Sequence, residues 1–125
     1  MKEISVNKLQ DMIKDKVVEL IDVRENNEYQ YCKVEGSKHI RMNDIPSSIH
    51  ELSKESRYAI ICHSGVRSAM VCEYLLNLGY NVVNVRGGID RWDRVGLAAH
   101  AAGHGELLFV GARKSRYAKF FPFLP

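Results

Sequence analysis

Ile60-Ile61-Cys62-His63-Ser64-Gly65-Val66-Arg67-Ser68 is the stretch from which the rest of this chain can be read. The apolar run Tyr58-Ala59-Ile60-Ile61 leads into it and reads as a buried strand. Leading out, Val66, Ala69, Met70, Tyr74 and Leu78 recur at helical spacing and read as the apolar stripe of a helix. The turn between them begins with a cysteine and ends with an arginine. Successive backbone N–H groups in a strand–loop–helix turn converge on a negative charge. The free N–H groups of the helix start add to that field. A cysteine at the loop's mouth is expected to be held as thiolate, its nucleophilic form, with Arg67 adding a fixed positive charge. The alternative, a cysteine acting as a small buried hydrophobe, suits a mid-strand position better than this junction.

Working outward, Val17, Val18, Leu20 and Ile21 mark residues 16–22 as a second buried strand, and such near-continuous runs suit a parallel sheet. Gly79 is placed to end the helix that follows the loop. Residues 81–86 form a valine-rich strand, and Gly87-Gly88 turns the chain into a last helix over 89–94. Near the N-terminus, Ser5 or Asn7 can cap a short helix with Val6, Leu9, Met12 and Ile13 on its apolar face. Residues 25–31 read as a short polar helix. Residues 32–43 are irregular, with a small strand near His39-Ile40. Pro46 can open a helical turn with Ile49 and Leu52 facing inward. Strands alternating with helices predict an α/β fold with a central parallel sheet. Right-handed crossovers put helices on both faces. Ligands of such sheets bind at the carboxyl ends of the strands, where Asp22, Cys62 and Arg86 fall.

The 125 residues suit one domain. A domain of this size buries roughly two thirds of its unfolded surface, enough for a real core. A net charge of +3 suits small anionic substrates and is too weak to argue for nucleic acid. Cys32, Cys62 and Cys72 are an odd number at long spacings, which argues against a disulfide framework. With no CxxC pair, no metal site is expected. No apolar leader follows Met1 and no run approaches membrane-spanning length, so a reducing, cytoplasmic setting is expected. Residues 97–125 read as an extension added to a domain over 1–96. His100 and His104 could share a helix face there, and the chain closes with bases beside aromatics, from Arg113 to Phe123. This extension either packs on the domain or on a second copy in a homodimer, or docks on a partner or an anionic surface. The first reading is preferred.

The Cys62–Ser68 loop resembles the active-site loop of the rhodanese family of sulfurtransferases. Leu20-Ile21-Asp22-Val23-Arg24-Glu25 with Glu28-Tyr29 resembles that family's second-strand motif. Gly36-Ser37 and Ile45-Pro46 fall where it has a glycine-small pair and an Asn-Ile-Pro segment, with a stretched gap. Val85-Arg86-Gly87-Gly88-Ile89 with Trp92 resembles its closing motif. The resemblance covers roughly the first hundred residues. It implies a rhodanese-like fold with a five-stranded parallel sheet.

The resemblance also implies chemistry. Cys62 would take a sulfane sulfur from thiosulfate or a persulfide and pass it to cyanide, a thiol or an acceptor protein, a double displacement that calls for no cofactor. The loop N–H groups of His63, Ser64, Gly65, Val66, Arg67 and Ser68 would stabilise the anionic sulfur. Arg67 would either face the donor's sulfonate or pair with a carboxylate such as Asp22 to hold the loop. Asp22 and Arg24 are expected to be structural, with Arg24 paired to Glu28 four residues on. His63 is expected to face solvent, with a proton-shuttle role as the alternative. Lys33 stands where the family has a histidine, and His63 stands where thiosulfate-using relatives have an arginine; both bear on substrate preference. A same-fold phosphatase or arsenate reductase would carry a loop one residue longer between Cys and Arg. A non-catalytic binding module of this fold would lack the cysteine.

Overall fold

A computed structural model of the chain describes residues 1–96 and the pair Phe109–Val110. Seven strands appear among the described residues: β1 (Glu3–Ile4), β2 (Glu19–Asp22), β3 (Lys33–Val34), β4 (Lys38–His39), β5 (Arg57–Ile61), β6 (Asn81–Val85) and β7 (Phe109–Val110). Four helices, α1 (Val6–Lys14), α2 (Asn26–Tyr31), α3 (Val66–Asn77) and α4 (Gly88–Arg94), alternate with them. Two 3-10 turns, Met42–Asp44 and Pro46–Glu51, complete the described elements. The main sheet has the order β1-β6-β5-β2-β4 and every pairing in it is parallel. The predicted five-stranded parallel sheet is therefore present.

The buried runs work because alternate side chains serve opposite faces. Leu20, Ala59, Ile61, Val83 and Val85 join one core with Val6 and Leu9 of α1 and Ile89 and Trp92 of α4. Ile21, Tyr58, Ile60 and Val82 join the other with Val71, Cys72 and Leu75 of α3. Burying each large side chain fully stabilises the fold by about 1.5–3 kcal/mol. Helices thus cover both faces, as predicted. α1 starts where Ser5 accepts the Lys8 N–H at 3.0 Å, and Val6, Leu9 and Met12 are buried.

One boundary and one helix face differ from expectation. The strand predicted from residue 16 starts only at Glu19. Lys16 has a φ of 56° and the Val17 N–H reaches back to the Met12 carbonyl at 3.1 Å, so both residues finish the helical turn instead. The second correction concerns α3, whose apolar stripe points outward. Val66, Met70, Tyr74 and Leu78 are exposed, while Ser68, Val71, Cys72 and Leu75 are buried. Ser68 and Cys72 lower the hydropathy of the buried row, so the exposed row is the one that stands out as apolar.

Register places the helix-facing ends of three strands level: Asp22 lies opposite both Ile61 and His39. The loop that starts at Cys62 therefore opens on the carboxyl rim of the sheet, beside the residues that follow β2. A separate pair joins Lys33 to Val110 and Val34 to Phe109 in antiparallel register. The expectations for His100, His104 and the basic, aromatic end fall outside the described residues. No helix among the described residues is long and apolar enough to cross a membrane.

Candidate active site

Cys62 follows the last residue of β5, and α3 begins four residues later. The chain between them curls around the cysteine sulfur. The Gly65 N–H donates to Sγ at 3.1 Å and the Ser68 N–H at 3.3 Å, with Ser68 Oγ 3.3 Å away. Both N–H groups thus converge on one atom, the nest geometry that binds anionic atoms. Cys62 is fully buried, at 0 % exposure, so the sulfur lies at the bottom of the cradle rather than at its mouth. Ser68 is buried with it, Gly65 and Arg67 are half-buried, and Ser64 and Val66 form the exposed lip.

The cradle is anchored from behind. The Ile89 N–H donates to the Cys62 carbonyl at 2.9 Å and the Asp90 N–H to the His63 carbonyl at 3.0 Å, so the first turn of α4 holds the loop. Gly88 allows that approach: its φ is +57°, and a Cβ there would lie 2.3 Å from the Cys62 carbonyl oxygen. On the other side, Asn84 Nδ2 donates to the Gly65 carbonyl at 3.2 Å. Asn84 was not singled out from the sequence. Its signal is a polar residue inside the run Val82-Val83-Asn84-Val85, which a strand buries only with a partner.

Arg67 does not pair with Asp22. Its Nη1 and Nη2 reach the two oxygens of Glu28 at 2.7 and 2.9 Å, a forked pair across 39 residues. Glu28 is 2 % exposed and Arg67 14 %. Burial alone would raise the Glu28 carboxyl. The Arg67 hydrogen bonds and charge, with the Glu25 N–H and the charge of Arg24, outweigh it and hold the pKa below the ordinary value. The predicted Arg24–Glu28 pair is likewise replaced. Arg24 turns back on Asp22, with Nε 3.0 Å from Oδ1 and Nη2 2.8 Å from Oδ2. It also donates to the Cys32 carbonyl at 2.7 Å. Both Asp22 and Arg24 are 0 % exposed, which suits a structural part. The reason is reach: α2 starts at Asn26, so Arg24 precedes the helix and the i,i+4 geometry does not apply.

His63 is buried rather than solvent-facing, at 8 % exposure. Burial pushes its imidazole pKa down, against the raising effect of Asp90 and Glu28. Lys33 lies on β3 with Nζ 5.0 Å from the centre of the Tyr29 ring, which stacks on His39 at 4.2 Å. Burial pushes the Cys32 and Cys72 thiols up to about 12, which leaves them poor nucleophiles. All three cysteines are free. Among the described residues no group of three or more His, Cys, Asp or Glu is placed to hold a metal ion.

The profile of the Rhodanese-like domain matches residues 5–94 of the chain. YtwF of Bacillus subtilis (strain 168) is 44% identical over 93 residues, spanning 74% of this chain and 90% of that protein. A thiosulfate sulfurtransferase, GlpE of Actinobacillus pleuropneumoniae serotype 3 (strain JL03), is 29% identical over 101 residues, 80% of this chain and 94% of GlpE. Among solved structures, a rhodanese-related protein from Thermoplasma volcanium superposes with a TM-score of 0.73 at 33% identity, covering 77% of this chain and 94% of that one.

Proposed function

The chain belongs to the rhodanese family, and on that premise we propose that it is a sulfurtransferase working through a persulfide on Cys62. The Cys62 thiolate attacks the outer sulfur of thiosulfate, the S–S bond of the donor breaks, and sulfite leaves with the bonding pair. Cys62 is left carrying one extra sulfur as a persulfide. A cyanide or thiolate acceptor then attacks that outer sulfur, and Cys62 leaves as thiolate, ready for the next cycle. No net oxidation or reduction of the enzyme occurs.

The observation that carries this reading is the amide cradle closed on Sγ by Gly65 and Ser68. N–H groups fixed around one atom stabilise negative charge there without reorganising during the reaction. Only four residues separate Cys62 from Arg67, so the cradle suits one sulfur atom better than a tetrahedral oxyanion. Arg67 acts by holding the loop through Glu28 and by adding positive charge near the lip. His63 lies buried beside the cradle, where burial pushes its pKa down and disfavours the charged imidazolium. Ser64 and Val66 form the lip that a donor meets first, while Asp22, Arg24 and Lys33 support the rim. The domain that carries this chemistry is residues 1–96, and residues 97–125 form an extension to it.

Thiosulfate:cyanide turnover by the parent protein and by Cys62→Ser tests the reading. The parent should release thiocyanate and the variant should not. Equal turnover by a folded Cys62→Ser protein would overturn it.

A further inference from the structure

A cavity of about 380 Å³ opens beside the cradle, outside the part that handles the reacting sulfur. Ser64 of the loop lip forms one wall, the start of α1 another, and Arg86, Asp90, Arg91 and Arg94 line the rest. Cys62 is not in that wall. Ser64 is two residues from it, a span of at most about 7 Å between Cα atoms. The cavity is also mechanically tied to the cradle, because Asp90 in its wall donates its N–H to the His63 carbonyl at 3.0 Å.

Its charge is one-sided. Arg94 is engaged by Asp90 at 3.0 Å. Arg86 and Arg91, both exposed, have no ion-pair partner among the described residues. Three arginines against one aspartate leave two positive charges around the space. The first turn of α1 holds no acidic residue to offset them. Guanidinium groups match carboxylate and phosphate oxygens by forked hydrogen bonds. A volume of this order accommodates a small organic molecule, beyond a lone oxyanion.

We propose that this cavity is a subsite for the anionic end of an extended low-molecular-weight thiol, whose sulfur reaches over Ser64 to accept the persulfide sulfur from Cys62. The proposal rests on the sulfurtransferase reading above. The acceptor thiolate attacks the outer sulfur, the Cys62 S–S bond breaks, Cys62 recovers its electron pair, and the acceptor leaves as a persulfide. The chemistry recognised is two or more anionic oxygens several bonds from a thiol, supplied by carboxylates or by a phosphate.

Two matched pairs of acceptors test it, with thiosulfate as donor: glutathione against its diethyl ester, and phosphopantetheine against pantetheine. Within each pair one member carries anionic oxygens that the other has esterified or lacks. For at least one pair, kcat/KM for the anionic member should exceed that of the partner lacking the anionic oxygens about tenfold at low salt. That ratio should fall toward one in the Arg86→Gln/Arg91→Gln protein and with added salt, since exposed charges are screened within about 8 Å at physiological ionic strength. Which pair responds tells carboxylate from phosphate. Ratios near one for both pairs in the parent, or ratios untouched by the double substitution, would overturn the subsite. Failure of the parent to take sulfur from thiosulfate at all would instead overturn the underlying reading. Urea unfolding of the double variant, expected to match the parent, keeps a folding defect from imitating the result.

Discussion

Gly88→Ala is the substitution that most directly probes how α4 holds the cradle. A Cβ at this position lies 2.3 Å from the Cys62 carbonyl oxygen and 2.6 Å from the His63 carbonyl oxygen, both backbone atoms. Reaching the 3.0 Å below which real contacts essentially never fall requires the turn and the loop to part by at least 0.7 Å, from 3.0 less 2.3. The Ile89 N–H···O Cys62 bond, 2.9 Å in the native protein, would then stretch to about 3.6 Å and cease to be a hydrogen bond. Its neighbour from Asp90 to His63 goes with it. Two lost bonds cost about 0.5–1.5 kcal/mol each. The left-handed φ of +57° costs an alanine about 1–2 kcal/mol more. The expected loss is therefore about 2–5 kcal/mol, a large part of a typical domain stability of about 5–15 kcal/mol. Displacing the cradle by this much should also cut turnover about tenfold to a hundredfold. Gly36→Ala is the control: its φ is +87° but no atom lies within 4 Å of the added Cβ, so only the left-handed cost applies. Urea unfolding and thiosulfate:cyanide turnover of both variants read the difference. If Gly88→Ala and Gly36→Ala unfold within about 0.5 kcal/mol of each other and turn over equally, the account of α4 as the anchor of the loop is wrong.

Cys32→Ser and Cys72→Ser should keep most of the parent turnover, because burial holds both thiols near 12 and away from the thiolate form; loss of turnover in either folded variant contradicts a single-cysteine cycle. Arg67→Met strands a buried carboxylate and should cost about 3 kcal/mol at pH 7, read by urea unfolding. In the parent, the depressed Glu28 pKa contributes stability that is full above its ordinary 4.5 and fades as pH falls through the folded value. The depressed His63 pKa adds a loss that begins as pH falls below its ordinary 6.5. In Arg67→Met, burial should instead raise Glu28 above its ordinary 4.5, so the deficit relative to the parent should start to shrink above pH 4.5, as the variant's Glu28 takes up its proton, and go on shrinking down to the parent's lowered value; a constant deficit would exclude Glu28 as the partner. The parent should not hydrolyse p-nitrophenyl phosphate, because four residues between Cys62 and Arg67 leave too small a cradle; Cys62-dependent release of p-nitrophenol would favour phosphatase chemistry.

What could be read in advance was whatever local pattern controls. The strand–loop–helix at Cys62 was legible because a buried run, a glycine and a helical period meet there, and each element formed close to where it was expected. The α/β layering followed from valine-rich runs alternating with helical ones. Pairing was less legible, since it is a long-range property. Arg67 meets Glu28 across 39 residues, and nothing in either local stretch prefers Glu28 to Asp22. Which row of α3 faces the core was not legible, because Ser68 and Cys72 interrupt the buried row while Val66, Met70, Tyr74 and Leu78 make the exposed row the more apolar one. The start of β2 was misplaced because Lys16 adopts a left-handed turn that a lysine does not advertise. His63 was expected outside because loop histidines commonly are, yet α4 folds over the loop and buries it. The arginines of the flanking cavity come from β6's end and α4, and only the fold brings them to Ser64.

In the proposed cycle Cys62 is the residue that carries the sulfur. Intact-mass and peptide mass spectrometry after incubation with thiosulfate test it most directly. The peptide containing Cys62 should gain one sulfur atom, a gain reversed by cyanide and absent in Cys62→Ser. No added sulfur in the parent, or sulfur carried by Cys32 or Cys72 instead, would contradict it.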